Sequence, residues 1–160
     1  MIPLFSYIDE LPPVPESLYL DILESTQINP SYAPPNNYYS VYEAKKSIYD
    51  WVYSVFDPAI YDYNMVNVQS IIGNGRIHID GRRHLLYNFL IRQGNPNITT
   101  TWYEDEAGTK PIESHIAQPF RWCRLKTDQW HDYMGVNPGD HRLSLCVFKT
   151  FSHSPRYVSN

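Results

Sequence analysis

The chain has 160 residues, 42% of them apolar and 15% aromatic, with 13 Lys and Arg against 17 Asp and Glu for a formal net charge of −4. That length and composition suit a globular chain able to bury a core in one domain, while the interspersed, mildly acidic charge excludes a general binder of nucleic-acid backbone, which needs a basic patch or stripe. No apolar run is long enough to cross a bilayer, and the N-terminus lacks the basic start and apolar core of a secretory signal, so the expected compartment is a reducing cytoplasm.

Residues 1–15 read as irregular, because Pro12, Pro13 and Pro15 forbid a regular helix. Ser17 is placed to cap a short helix carrying Leu18, Leu20, Ile22 and Leu23. Residues 29–37 are rich in proline, asparagine and tyrosine without periodicity, and predict a loop. The piece before that loop is too short to bury its own core, so residues 1–41 form an arm on a single domain spanning 1–160. Over 42–57, apolar Tyr42, Ala44, Ile48, Trp51, Val52 and Val55 fall mostly at three-and-four spacing. This predicts an amphipathic helix, ended by Asp57-Pro58, that covers one face of a sheet.

The pattern then changes to short strands punctuated by turns, and this stretch, 64–149, is the expected core. Val66, Val68, Ile71 and Ile72 mark a strand over 64–72, closed by Gly73-Asn74-Gly75. Strands follow over 76–80, 83–91, 99–103, 112–117, 122–125, 130–136 and 143–148, with turns at Gly94-Asn95-Pro96-Asn97 and Asn137-Pro138-Gly139-Asp140. Cys123 and Cys146 sit in apolar strand contexts; they could pair, but without a sign of export they read as reduced core residues. About eight strands at short spacing, after N-terminal helices, predict a mainly β fold: an antiparallel jelly roll, or double-stranded β-helix, of cupin-like type.

Within 76–80, Ile77 and Ile79 alternate with His78 and Asp80, so a strand here sets two metal-competent side chains on one face. A neutral imidazole and a carboxylate two residues on are half of a 2-His-1-carboxylate set, which needs one more histidine from afar. His131 is the best placed. His141 adjoins Arg142 and must face the other way on a strand, His115 is followed by no Arg-x-Ser, His84 competes with its own strand, and His153 lies near the terminus. Arg142, Ser144, Cys146 and Phe148 share one face of the last strand. An inward Arg142 calls for an anion, because a buried guanidinium without a partner is costly. Ser144, one pleat along, can donate to the same anion.

The order His78-x-Asp80, then His131, then Arg142-x-Ser144 resembles the Fe(II)/2-oxoglutarate-dependent dioxygenases, and 64–149 looks closest to their small prolyl-hydroxylase-like members of bacterial and viral type. The resemblance implies that His78, Asp80 and His131 hold Fe(II), and that Arg142 and Ser144 grip the far carboxylate of 2-oxoglutarate. It implies a second polar contact from Tyr87 or Asn88, a choice strand parity leaves open. The implied activity consumes O2 and 2-oxoglutarate, releases succinate and CO2, and hydroxylates an amino-acid side chain or other small molecule, free or peptidyl. The alternative is a non-catalytic protein of the same fold, either a cupin-like metal binder or a structural jelly roll. Arg76, Arg82 and Arg83 are expected to be solvated strand ends rather than contacts to an acidic substrate, and Trp102 and Tyr103 to be core aromatics rather than pocket walls.

Overall fold

The computed structural model describes residues 1–35 and 38–151. Two helices, α1 (Tyr19–Ser25) and α2 (Lys46–Val55), accompany nine strands: β1 (Phe5–Tyr7), β2 (Tyr39–Glu43), β3 (Met65–Ile71), β4 (Leu85–Arg92), β5 (Thr99–Tyr103), β6 (Pro111–His115), β7 (Trp122–Lys126), β8 (His131–Met134) and β9 (Arg142–Phe148). The strands form a six-stranded sheet in the order β1-β7-β4-β9-β3-β2 and a three-stranded sheet in the order β6-β5-β8. Every pairing is antiparallel. This is a mainly β, cupin-like jelly roll.

The large sheet is covered on both faces, and that fact organises the core. On its outer face Leu143, Leu145 and Val147 of β9 pack with Phe89, Trp122, Val66 and Val68, beneath Ile48 and Val52 of α2. On its inner face Leu86, Leu90, Cys146 and Phe148 meet Trp102 of the small sheet. Trp102 is fully buried, with its indole N–H donating to the Lys126 carbonyl at 2.7 Å, as expected of a core aromatic. Asn88 lies opposite Cys123 on one side and Cys146 on the other. The two thiols are therefore two strand spacings apart, roughly 9–10 Å, beyond the reach of a disulfide. Burial pushes both up, Cys123 to about 12 and Cys146 to about 11, so they stay protonated.

Three local expectations are corrected. Phe5–Tyr7, expected to be irregular, forms β1 against β7. The helix expected over 42–57 begins only at Lys46, because Tyr39–Glu43 pairs as β2 along β3. Sheet pairing there outweighs the local helical spacing of Tyr42 and Ala44. Residues 76–80 are not a full strand: His78 makes a single β-bridge to His131, and the remainder is irregular. No helix among the described residues is long and apolar enough to cross a membrane.

Candidate metal centre

The bridge between His78 and His131 is the foundation of the site. The two residues exchange backbone hydrogen bonds of 2.9 and 3.0 Å, which makes them a directly opposed antiparallel pair. Residues opposed in this way project to the same face, and the two imidazole centroids lie 4.4 Å apart. Asp80 is set two residues on by a hydrogen bond from its N–H to the Thr127 carbonyl, 2.9 Å. The chain then turns, and Arg83 N–H returns to the Asp80 carbonyl at 3.3 Å. One donor atom each from His78, Asp80 and His131 lies within 4.8 Å of the others.

Both histidines are held in one tautomer by the same device. Nδ1–H of His78 donates to the Arg76 carbonyl at 2.6 Å, and Nδ1–H of His131 to the Gln129 carbonyl at 2.7 Å. Carbonyls only accept, so in each neutral ring Nε2 carries the lone pair. Outer contacts of this kind fix ring orientation around metal sites. Burial pushes His131 down to about 4 despite the attraction of Asp80, which leaves it neutral. Burial acts the same way on His78, but its hydrogen bond and charge attraction to Asp80 prevail and raise it. In their neutral forms the two imidazoles, with one carboxylate oxygen, make a donor set suited to a divalent first-row ion.

Asp80 has a second partner that the sequence did not mark. Arg83 Nε donates to Asp80 Oδ2 at 2.6 Å, while Oδ1 stands 3.5 Å from His78 Nε2. One carboxylate oxygen is thus tied to a guanidinium and the other faces the imidazoles. Burial alone would raise the Asp80 carboxyl, but Arg83 and the two histidines outweigh it and hold the acid well below the usual carboxylate range. Arg83 also covers the Phe148 ring, 4.9 Å from its centroid. Expected at a solvated strand end, it turns inward because three residues from Asp80, across the Gly81 turn, is the span of one ion pair. Arg76 and Arg82 are exposed, as expected of solvated strand ends.

His78, Asp80, Arg83 and His131 line an inner cavity of about 60 Å³ together with Arg142, Ser144, Asn88, Gln69, Thr100, Thr127 and Tyr133. Arg142 is 5% exposed. Asp140, the nearest acid along the chain, accepts instead from Asn95 and from the Asn137 N–H, and among the described residues no carboxylate pairs with Arg142. Desolvation accordingly lowers it, whereas Arg83, beside Asp80, is raised. The site therefore holds two guanidiniums, a half-buried one neutralised by Asp80 and a buried one open to an anion.

Of the paired candidates on β4, Asn88 lines the cavity and Tyr87 does not. Tyr87 is corrected: it lies on the outer face, with its ring 5.4 Å from Tyr61 and 5.9 Å from Phe56. Parity on a strand allows only one of two neighbours to face inward. Gln69, Tyr133 and Arg83 were missed. Alternation from His131 does place Tyr133 on the same face, and β3 pairs Gln69 with Ser144. The other described histidines are engaged elsewhere: His141 with Ser70 and Arg92, His115 stacked on Phe5, and His84 with Asp128. His153 lies outside the described residues.

No protein-family model matches the chain, and no curated protein matches it by sequence. Among solved structures, an oxidoreductase of the 2OG-Fe(II) oxygenase family from Burkholderia pseudomallei is similar, with a TM-score of 0.57 and 8% identity over 88% of this chain and 83% of that one. At that identity the likeness is one of fold. An oxalate decarboxylase structure, 9% identical, covers 84% of this chain and 30% of its own with a TM-score of 0.46, too low to add to the comparison.

Proposed function

We propose that the protein is an Fe(II)- and 2-oxoglutarate-dependent dioxygenase that hydroxylates an amino-acid side chain or another small molecule. The observation that carries this reading is one cavity joining His78, Asp80 and His131 to a buried Arg142 that has no counter-ion among the described residues. A structural jelly roll gains nothing from that arrangement, since an unpaired buried guanidinium costs stability. A bare metal site would not need it.

In this reading His78 Nε2, Asp80 Oδ1 and His131 Nε2 hold the iron, and Arg83 keeps the carboxylate ionised and turned toward it. Bound iron would supply activation of O2 coupled to oxidative decarboxylation of 2-oxoglutarate to succinate and CO2. Arg142 binds the far carboxylate of the cosubstrate in a planar two-point fork, and the Ser144 hydroxyl, on the same face of β9, donates beside it. Asn88 and Gln69 supply further amide groups, while Ile71, Leu86 and Leu125 exclude water.

The test is calorimetric titration of 2-oxoglutarate into Mn(II)-loaded protein, comparing wild type with Arg142→Ala and Arg142→Lys. Losing two charge-assisted hydrogen bonds should weaken binding by about one to three orders of magnitude in Arg142→Ala, and lysine should restore only part. Manganese affinity should be unchanged in both. Equal affinity for 2-oxoglutarate in all three proteins would remove Arg142 from the site and leave a metal-binding jelly roll.

A further inference from the structure

A second cavity, of about 230 Å³, adjoins the first and shares two residues with it, His78 and Tyr133. Its other lining residues are Pro34, Pro35, Tyr38, Tyr39, Gly75 and Arg76. Where the inner cavity is polar, this outer one has walls of flat rings. Its shape is fixed by the Gly73-Asn74-Gly75 turn. A Cβ at Gly73 would lie 2.7 Å from the Tyr38 ring, and one at Gly75 would overlap the ring of Tyr133. Backbone hydrogen bonds tie the same turn to the same two tyrosines, Ile72 N–H to the Tyr38 carbonyl at 2.9 Å and Gly75 N–H to the Tyr133 carbonyl at 2.8 Å. Asn74 Oδ1 accepts from Val136 N–H at 2.9 Å, which pins the turn to the end of the small sheet. The tyrosine walls are thus held in place by a turn that lacks side chains where they pack.

The charge of the two cavities is the reverse of the chain's own. Arg76, Arg83 and Arg142 line them against a single carboxylate, Asp80, in a protein of net charge −4. Arg83 is committed to Asp80 and Arg142 belongs to the inner cavity. Arg76 is exposed and forms no ion pair among the described residues. A cleft with one sign of charge concentrates the opposite sign, and aromatic and proline walls favour a ring that can lie against them. The volume falls below the ~300–1,000 Å³ of pockets for drug-sized ligands, which points to a small molecule.

We propose that the outer cavity binds the substrate of the dioxygenase reading above, and that this substrate is a small ring-bearing carboxylic acid, its ring against Tyr38, Tyr39 and Tyr133 and its carboxylate on Arg76. The assignment rests on that reading for its role, because the cavity opens on His78. The experiment is saturation-transfer NMR on the full chain, with saturating 2-oxoglutarate present to occupy Arg142. The probes are benzoate, phenylacetate and cyclohexanecarboxylate, set against benzamide and benzylamine. The acids should bind about tenfold more tightly than the amide, the margin of a partly exposed charge-assisted contact. Arg76→Glu should reverse the order in favour of benzylamine. Gly75→Ala should weaken all ring probes by moving Tyr133. Mn(II), but not Zn(II), should broaden the ring protons of the bound acid.

Equal binding of acid and amide, an unchanged order in Arg76→Glu, or displacement of the acids by 2-oxoglutarate would each overturn the proposal. So would preferential binding of blocked peptides over the free acids. Manganese uptake followed by electron paramagnetic resonance separates the two layers. Uptake without acid binding overturns the outer site and leaves the metal reading standing. Arg76-dependent acid binding without uptake upholds the ligand class and overturns the dioxygenase role.

Discussion

On one face of β9, Leu143, Leu145 and Val147 pack beneath α2; on the other, Arg142 and Ser144 line the inner cavity beside Gln69 and Asn88. All seven residues of the strand are buried, so exposure does not distinguish the two faces. The outer face is buried among apolar partners that complete it. The inner face is apolar at Cys146 and Phe148, but at Arg142 and Ser144 it is buried among polar groups that, among the described residues, leave one guanidinium without an anion. The first maximises stability, and the second gives some up for a ligand, a division common where a site is built into a core.

Substitutions on the two faces should therefore differ in kind. Leu145→Ala, on the outer face, should cost about 2–5 kcal/mol of stability through the cavity it leaves, read as a lower urea midpoint, with no specific effect on 2-oxoglutarate affinity in the folded fraction. A cost under 1 kcal/mol would mean that the outer face is not the close-packed one.

Asp80→Ala should abolish Mn(II) binding and also destabilise the metal-free protein. The sequence alone suggests that a carboxylate at a strand end contributes little to the core, but its link to Arg83 changes that expectation. The paired side chains are 16% and 20% exposed. Removing one partner should cost about 2–4 kcal/mol, less than the ~3–5 kcal/mol of a fully dry pair. Adding Arg83→Leu should recover most of that stability and none of the metal binding. A double variant as unstable as Asp80→Ala alone would show that the pair is not the source of the loss.

Arg142→Met sharpens the contrast further. It should stabilise the ligand-free protein by about 1 kcal/mol, because it replaces an unpaired buried charge with an apolar chain of similar length. The gain should vanish at saturating 2-oxoglutarate, which stabilises only the wild type. Thermal melts with and without the ligand read both effects, and destabilisation of the ligand-free form would reveal a protein partner for Arg142.

Tyr87→Phe should do least. The hydroxyl belongs to a side chain packed against Phe56 and Tyr61 on the outer face, so 2-oxoglutarate affinity should be unchanged and stability should shift by about 0.5 kcal/mol or less. A tenfold loss of affinity would return Tyr87 to the cavity.

Strand periodicity alone put His78 with Asp80 and Arg142 with Ser144, because neighbours two apart on a strand share a face whatever the fold. It also marked most strands of the jelly roll, since turn residues bound short alternating runs. Which face points inward was legible only where one side is apolar and the other polar. On β4 both faces are buried, one under the helix layer and one under the small sheet, so hydrophobicity could not choose between Tyr87 and Asn88. The remaining features depend on contacts between distant segments. Pairing with β3 turned Tyr39–Glu43 into a strand, the turn after Asp80 brought Arg83 onto its carboxylate, and the bridge from His78 to His131 set two rings side by side across fifty residues. Local sequence fixes which side chains travel together along a strand; only the packing of strands against one another decides what they meet.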